Sequence, residues 1–376
     1  MTRLPSRILM TADTVGGVWN YALELTRSYG AEGIEVCLAT MGALPTEDQR
    51  AEAAEIENLR VFESEYKLEW MRDPWADVDA AGRWLLELQD RLRPDLIHLN
   101  GYCHGDLQWG APTVSVGHSC VLSWWRAVHG TPAPAELDEY RRRVRRGLHA
   151  ADVVVTPTPA MLHSLERHYG DLNDGRVIFN GRDPGHFESA WKEPFVFAAG
   201  RLWDEAKNVS VLDRVAEQLS WPVLIAGDVS EPAGASAAKT VVSSERMTGK
   251  LSQEEMHTFL AHASIFAAPA KYEPFGLSIL EAALSGCALV LGDIPSLREL
   301  WDGAALFVEP DNDTALAEAI EMIAKHDWMR GELAWRSGQR ALHYSSGRMA
   351  ATYLDLYREL LTYGSATVSA EVAACV

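Results

Sequence analysis

The sequence predicts an α/β protein built from two doubly wound parallel sheets facing each other across a cleft. Short apolar runs alternate with amphipathic stretches along most of the chain, the pattern of parallel strands covered by helices on both faces. The alternation breaks once, near residues 180–194, and then restarts. A chain of 376 residues exceeds one ordinary core and suits two.

In the first half the strand-like runs are RILMTAD (7–13), IEVCLAT (34–40), LRVFES (59–64), DLIHLN (95–100), TVSVGHS (113–119), DVVVTPT (152–158) and RVIFNG (176–181). Between them lie stretches such as DAAGRWLLELQDRLR, with Trp84, Leu85, Leu88 and Leu92 at helical spacing. NGRDPGHFESAWKEP (180–194) is rich in glycine, proline and charge and has no period, which marks an interdomain linker. The second half repeats the theme with FVFAAGRL, PVLIAGD, SIFAAPA, CALVLGD and ALFVEP. The domains are therefore expected at 1–190 and 191–346, with a last helix at about 347–363 packing back on the first. SEPAGASAAKT (230–240) reads as a flexible loop, and the tail from Gly364 as frayed. With two such sheets, both rows of strand ends line one cleft, because ligands bind beyond the carboxyl ends of parallel strands.

The net charge of −19, from 53 acidic against 34 basic residues, excludes a general nucleic-acid footprint. Five cysteines (37, 103, 120, 287 and 375) form no zinc-ligand spacing, and an odd count argues against a disulfide framework. The opening MTRLPSRILMTAD lacks an apolar leader core, and no run of about twenty apolar residues occurs. A cytoplasmic protein is expected. The 13 tryptophans include Trp19, Trp70, Trp75, Trp84, Trp109, Trp124 and Trp125 in the first third. Core packing accounts for most of them, and an aromatic acceptor pocket is the sharper reading.

The chemistry concentrates in YEPFGLSILEAALSG (272–286). Pro274 keeps Glu273 out of helical conformation, on a loop at a strand's carboxyl end. Gly276 permits close approach to the backbone, and a helix starts near Leu277 with unsatisfied amides that favour an anion or a polyhydroxyl ligand. Glu281 lies about one turn further on, within an apolar run. Two carboxylates so placed can flank a ligand and accept hydrogen bonds from its hydroxyls. The plainer reading makes Glu281 half-exposed on an amphipathic helix and Glu273 a local cap. In YRRRVRRGLHAAD, Leu137, Tyr140, Val144 and Leu148 share one helical face, and Arg141, Arg142, Arg143, Arg145 and Arg146 occupy the rest. This is a solvated face first and a peripheral membrane contact second.

YEPFGLSILEAALSGCALV resembles the Glu-x7-Glu signature of the retaining GT-B glycosyltransferases of family 4. FAAGRLWDEAKNVSVL is similar to the family's Gly-Arg-Leu…Lys-Asn segment, and VIFNGRD to its hinge segment. MTGKLSQEEMHTFLAHASIFAAPA is similar to the segment before the signature, and TADTVGGVWNYALEL to the glycine-rich opening. The resemblance implies the GT-B fold, two Rossmann-like domains, with the acceptor side in the first and a nucleotide sugar in the second. It implies that Arg201 and Lys207 face the donor diphosphate and, with His118 and Glu273, form the catalytic set. Glu273 would hold sugar hydroxyls beside the amides of Phe275, Gly276 and Leu277, and Glu281 the ribose. Gly16 and Gly17 would admit the phosphates; they form no GxGxxG fingerprint, against a nicotinamide dehydrogenase. His118 would lie near the reacting carbon, and Asn100, Tyr102 and His104 are acceptor candidates at a strand end.

The implied reaction is retaining, front-face transfer of a hexose from a nucleotide-diphosphate sugar, a UDP-sugar ahead of a GDP-sugar. The acceptor would be a carbohydrate, a lipid-linked molecule or a small molecule. No metal and no further cofactor are expected. The alternatives are a GT-B sugar-nucleotide 2-epimerase, which would act without an acceptor, and an inactive sugar-nucleotide-binding protein.

Overall fold

Most of the strands are buried on both faces, so their sequences are near-continuous apolar runs. In a computed structural model, which describes residues 4–229 and 243–374, they form two sheets. The first contains β1 (Arg7–Asp13), β2 (Glu35–Met41), β3 (Leu59–Phe62), β4 (Leu96–Leu99), β5 (Thr113–Val116), β6 (Val153–Thr156) and β7 (Gly175–Val177). The second contains β8 (Glu193–Ala199), β9 (Val223–Ala226), β10 (Met247–Gly249), β11 (Ala263–Ala268), β12 (Ala288–Gly292) and β13 (Leu306–Val308). Their orders are β3-β2-β1-β4-β5-β6-β7 and β10-β9-β8-β11-β12-β13. All pairings are parallel. Both sheets are doubly wound. Strand order reverses between β1 and β4 in one, and between β8 and β11 in the other, which makes two topological switch points.

The helices cover both faces. They are α1 (Gly17–Gly30), α2 (Glu47–Ala54), α3 (Trp75–Leu92), α4 (Val121–His129), α5 (Asp138–Ala150) and α6 (Pro159–Tyr169) around the first sheet. Around the second are α7 (Val209–Val215), α8 (Gln253–His262), α9 (Leu277–Leu284), α10 (Pro295–Trp301), α11 (Asp313–Lys325) and α12 (Asp327–Ala341), and α13 (Ser346–Ala374) comes last. Local chemistry sets several starts. Thr158 caps α6 by accepting from the Met161 amide ahead of Pro159 at the first helical position. Ser252 and Glu255 form a capping box on α8.

Helix α13 returns to the first domain. Its Met349, Tyr353 and Tyr357 are buried in the core formed by β1, α1 and their neighbours. Tyr357 accepts from the Tyr29 hydroxyl at 3.1 Å and lies 2.6 Å from His98 Nδ1, while Tyr21 Oη lies 3.3 Å from His98 Nε2. The tail read as frayed from Gly364 continues as helix to Ala374. The chain crosses between domains twice, side by side: the Arg182 amide donates to the Tyr344 carbonyl and the Ser346 amide to the Arg182 carbonyl, each at 3.1 Å.

The loop expected at 230–240 lies outside the described residues, as does Cys375. Cys37, Cys103, Cys120 and Cys287 are buried and free. Among the described residues no helix is long and apolar enough to cross a membrane. On α5, Arg141 pairs with Asp138, Arg142 with Glu139, Arg143 with Asp79 and Glu139, and Arg146 with Asp106. Most of that basic face is therefore already neutralised at the surface.

Candidate active site

The two switch points supply the site. After β1 the chain enters the Gly16–Gly17 turn, and after β4 it reaches Asn100. After β8 come Gly200 and Arg201, and after β11 the loop to Glu273 and α9. The glycine turn meets the second domain: a side chain at Gly16 would lie 3.6 Å from Arg201 Nη1, and one at Gly17 would lie 3.4 Å from Leu277 Cδ1. Asp13, at the end of β1, accepts the Val15 and Gly16 amides at 3.0 Å each and so shapes this turn. Burial pushes its carboxyl above the usual range, opposed by the Arg201 guanidinium and the two amides.

Both cations expected at the diphosphate are held by carboxylates. Arg201 Nη2 donates to Asp204 Oδ2 at 2.9 Å, and Lys207 Nζ donates to Glu273 Oε2 at 2.5 Å. Asp204 is the organiser that sequence reasoning missed. Its Oδ1 also accepts the Ala206 amide at 3.0 Å and, across the cleft, the Trp124 indole N–H at 2.8 Å. One buried carboxylate thus orders the turn leading to Lys207, restrains Arg201 and ties both to α4. Trp19 is buried in the core, Trp84 packs on Tyr66 and Trp75 lies under Arg143. Trp124 is the tryptophan whose N–H crosses to the second-domain loop that carries Arg201 and Lys207.

Further contacts bridge the domains around Glu273. The Tyr272 hydroxyl accepts the Cys120 amide at 3.0 Å and Thr158 donates to the Pro274 carbonyl at 3.0 Å, while within the second domain Ser296 donates to the Glu273 carbonyl at 2.6 Å. Gly276 precedes α9 with φ of +86°, and a Cβ there would fall 2.7 Å from Ile279 Cδ1 and 3.2 Å from Glu273 Cγ. Glycine is required on both counts. Gly276→Ala is expected to lower stability by about 1–2 kcal/mol and to displace Glu273; urea unfolding and turnover measured on one preparation check both. The Phe275 side chain is buried edge-on to Tyr344, so only its backbone is turned to the helix start. The first amides of α9 have no intrahelical acceptor.

His118 follows β5, half-buried, with Tyr21 packed edge-on at 4.5 Å. Asn100 donates from Nδ2 to the Thr11 carbonyl at 2.7 Å, which fixes the amide and leaves Oδ1 facing His118 Nε2 at 2.8 Å. Nε2 therefore carries the proton, and Nδ1 presents a lone pair. Burial lowers the imidazole to about 3, so it is neutral at physiological pH. Asn100, read as an acceptor candidate, orients His118. Tyr102 and His104 are engaged within the first domain. Tyr102 is buried with its hydroxyl donated to the Ser119 carbonyl at 2.6 Å, and His104 Nε2 donates to the Val78 carbonyl at 3.0 Å. Both are occupied holding loops and α3 in place.

Glu281 is buried on α9, and its charge is met by an arginine rather than left for a ligand alone. Arg182 Nε lies 3.0 Å from Glu281 Oε1, and Arg182 Nη1 donates to Glu24 Oε2 at 3.0 Å. Burial raises the Glu281 carboxyl above its usual range, with Arg182 opposing and Glu24 reinforcing the shift. In the two Asp-x-Asp spacings, at 77–79 and 311–313, Asp79 pairs with Arg143, Asp311 with Lys271 and Asp313 with Arg214.

Comparison with known proteins agrees with this architecture. Residues 15–186 match the model of Glycosyltransferase Family 4, and residues 193–326 that of Glycosyl transferases group 1. The alpha-maltose-1-phosphate synthase of Mycolicibacterium smegmatis is 28% identical over 68% of this chain and 74% of its own length. The D-inositol 3-phosphate glycosyltransferase of a Nocardioides species is 24% identical over 91% and 85%. Among solved structures, sucrose-phosphate synthase from Thermosynechococcus elongatus superposes with a TM-score of 0.79 at 18% identity, covering 95% of this chain and all of that one. Anabaena HepE in complex with UDP-glucose gives 0.70 at 15% identity, covering 94% and 100%. With two glycosyltransferase models in tandem, one on each side of the linker, and a switch-point cleft between two doubly wound sheets, the chain is a glycosyltransferase of the GT-B fold.

Proposed function

We propose that the chain is a family 4 retaining enzyme that transfers a hexose from a nucleotide-diphosphate sugar to an acceptor hydroxyl. The observation that carries this reading is the pair of cations at the cleft, Arg201 and Lys207, each held by a carboxylate beside the start of α9. A diphosphate entering there meets two positive charges and the amino end of a helix, the set of groups that stabilises a departing nucleotide. Glu273, released from Lys207, accepts sugar hydroxyls, and Glu281 accepts the ribose hydroxyls. His118 offers Nδ1 to a hydroxyl of the sugar near the reacting carbon. In front-face transfer the bond from the anomeric carbon to the phosphate oxygen breaks. The acceptor oxygen then bonds to the same face, and its proton passes to the departing phosphate oxygen. No protein nucleophile takes part, and the route is metal-independent.

The glycine turn supports the same reading. A side chain at Gly16 or Gly17 would meet only ordinary contacts, and Gly16 has extended φ of −149°. Neither packing nor, at Gly16, conformation demands glycine, whereas phosphates approaching the backbone do. The UDP-glucose in HepE favours a UDP-sugar. Peripheral membrane contact through Arg141–Arg146 is the weaker reading, because Asp138, Glu139, Asp79 and Asp106 already pair with that face.

The test is a melting-temperature titration with UDP, GDP, ADP and their hexose conjugates, with and without EDTA. A nucleotide at a hundred times its Kd adds about 2.7 kcal/mol of stability. The expected result is a shift with one nucleotide that EDTA leaves unchanged. No shift with any of them refutes the diphosphate site, and a shift abolished by EDTA refutes metal independence.

A further inference from the structure

The linker between the domains carries a buried charge that the transfer reaction does not itself use. Arg182 is 3% exposed, Glu24 3% and Glu281 8%. Glu24 belongs to α1 of the first domain, Glu281 to α9 of the second, and Arg182 lies where the two chain crossings run side by side. The guanidinium lies between both carboxylates: Nη1 hydrogen-bonds Glu24, Nε meets Glu281 Oε1 at 3.0 Å as a charge contact without a hydrogen bond, and its face rests on Phe187 at 5.6 Å. Glu24 is further fixed by the Asp183 amide, which donates to Oε1 at 2.8 Å. A buried carboxylate without a counter-charge neutralises itself or turns toward solvent. Arg182 is the cation that Glu281 has for staying ionised on an apolar helix.

We propose that Arg182 is a positioning residue for donor recognition: its charge beside Oε1 holds Glu281 ionised and in place on the buried face, so that the remaining carboxylate oxygen accepts a ribose hydroxyl. The inference rests on the reading of Glu281 as the ribose acceptor. The planar fork of arginine reaches two carboxylates at once, and a lysine ammonium on a flexible stem does not reproduce that geometry.

The experiment is calorimetric titration of the full chain with UDP, 2′-deoxy-UDP and 3′-deoxy-UDP, with the corresponding guanosine and adenosine diphosphates run alongside. Wild type, R182K and E24Q are compared, and melting temperatures are recorded for each. A charged hydrogen bond is worth about ten- to a hundredfold in affinity. The wild type is therefore expected to prefer the ribonucleotide over at least one deoxy form by about that factor. R182K is expected to lose most of the preference while binding the deoxy forms as the wild type does. E24Q, which leaves the Arg182–Glu281 pair in place, is expected to keep it. If wild type and R182K discriminate equally, the role of Arg182 is overturned and the ribose reading of Glu281 survives. If the wild type binds ribo- and deoxynucleotides alike, the ribose reading fails and this inference falls with it. Uniform weakening of all nucleotides in R182K marks a merely structural residue and also overturns the proposal.

Discussion

Lys207→Ala is expected to lower kcat by about 10²–10³-fold, with a smaller loss of stability. The two effects differ in size because they come from different states. In the ligand-free protein Lys207 pairs with Glu273, and its side chain keeps 21% exposure. Glu273 is only 12% exposed, so leaving its carboxylate without a counter-charge costs about 1–3 kcal/mol. In the proposed transition state the same ammonium would face charge developing on the departing diphosphate, and one such group is worth about 3–4 kcal/mol. Single-turnover kinetics with the donor identified by melting shift would measure it, and nucleotide Kd on the same variant would separate binding from chemistry. A variant with wild-type kcat would remove Lys207 from the reaction. Lys207→Arg keeps the charge but changes its reach, and is expected to recover only part of the rate.

The second large effect is on stability at acid pH. His98 is fully buried between the Tyr21 and Tyr357 hydroxyls, and burial lowers its imidazole to about 3, helped by the neighbouring His118. In the unfolded chain a histidine titrates near 6.5. The unfolded state therefore binds the proton first, and stability from this residue is complete above about pH 6.5 and lost as pH falls toward 3. At pH 5 the loss is about 2 kcal/mol. Asp13 and Glu281, whose carboxyls are raised, act in the opposite sense, because the folded state takes up their protons first. The clean measurement is thus the difference between wild type and His98→Phe in melting temperature between pH 4.5 and 7.5. The wild type is expected to fall more steeply below pH 6.5. Parallel curves would show that His98 does not titrate on unfolding.

The sheet architecture was legible because parallel strands buried on both faces announce themselves as apolar runs; β1 coincides with RILMTAD residue for residue. Strand β10 was not, since three residues, Met247 to Gly249, at a sheet edge carry no period. At the site, Glu273, Gly276 and Glu281 are near neighbours in sequence, and a short motif can record them. Arg182 could not be paired from sequence: its partners Glu24 and Glu281 lie on helices of different domains, and its own segment reads as an aperiodic linker. Asp204 was hidden for the same reason, its Trp124 partner being 80 residues away. Position beyond β4 does not disclose that Tyr102 and His104 each commit a polar atom to the Ser119 and Val78 carbonyls of the first domain.

The return of α13 to the first domain has a consequence for synthesis on the ribosome. Domains generally fold in the order they emerge, amino-terminal first. Here the first sheet can form early, but part of its core, Met349, Tyr353 and Tyr357, is encoded after the whole of the second domain. The second domain has all its strands and six covering helices available before α13 leaves the exit tunnel. In this chain the domain that is made first is completed last, and its apolar face near α1 waits uncovered while the other half of the enzyme is translated.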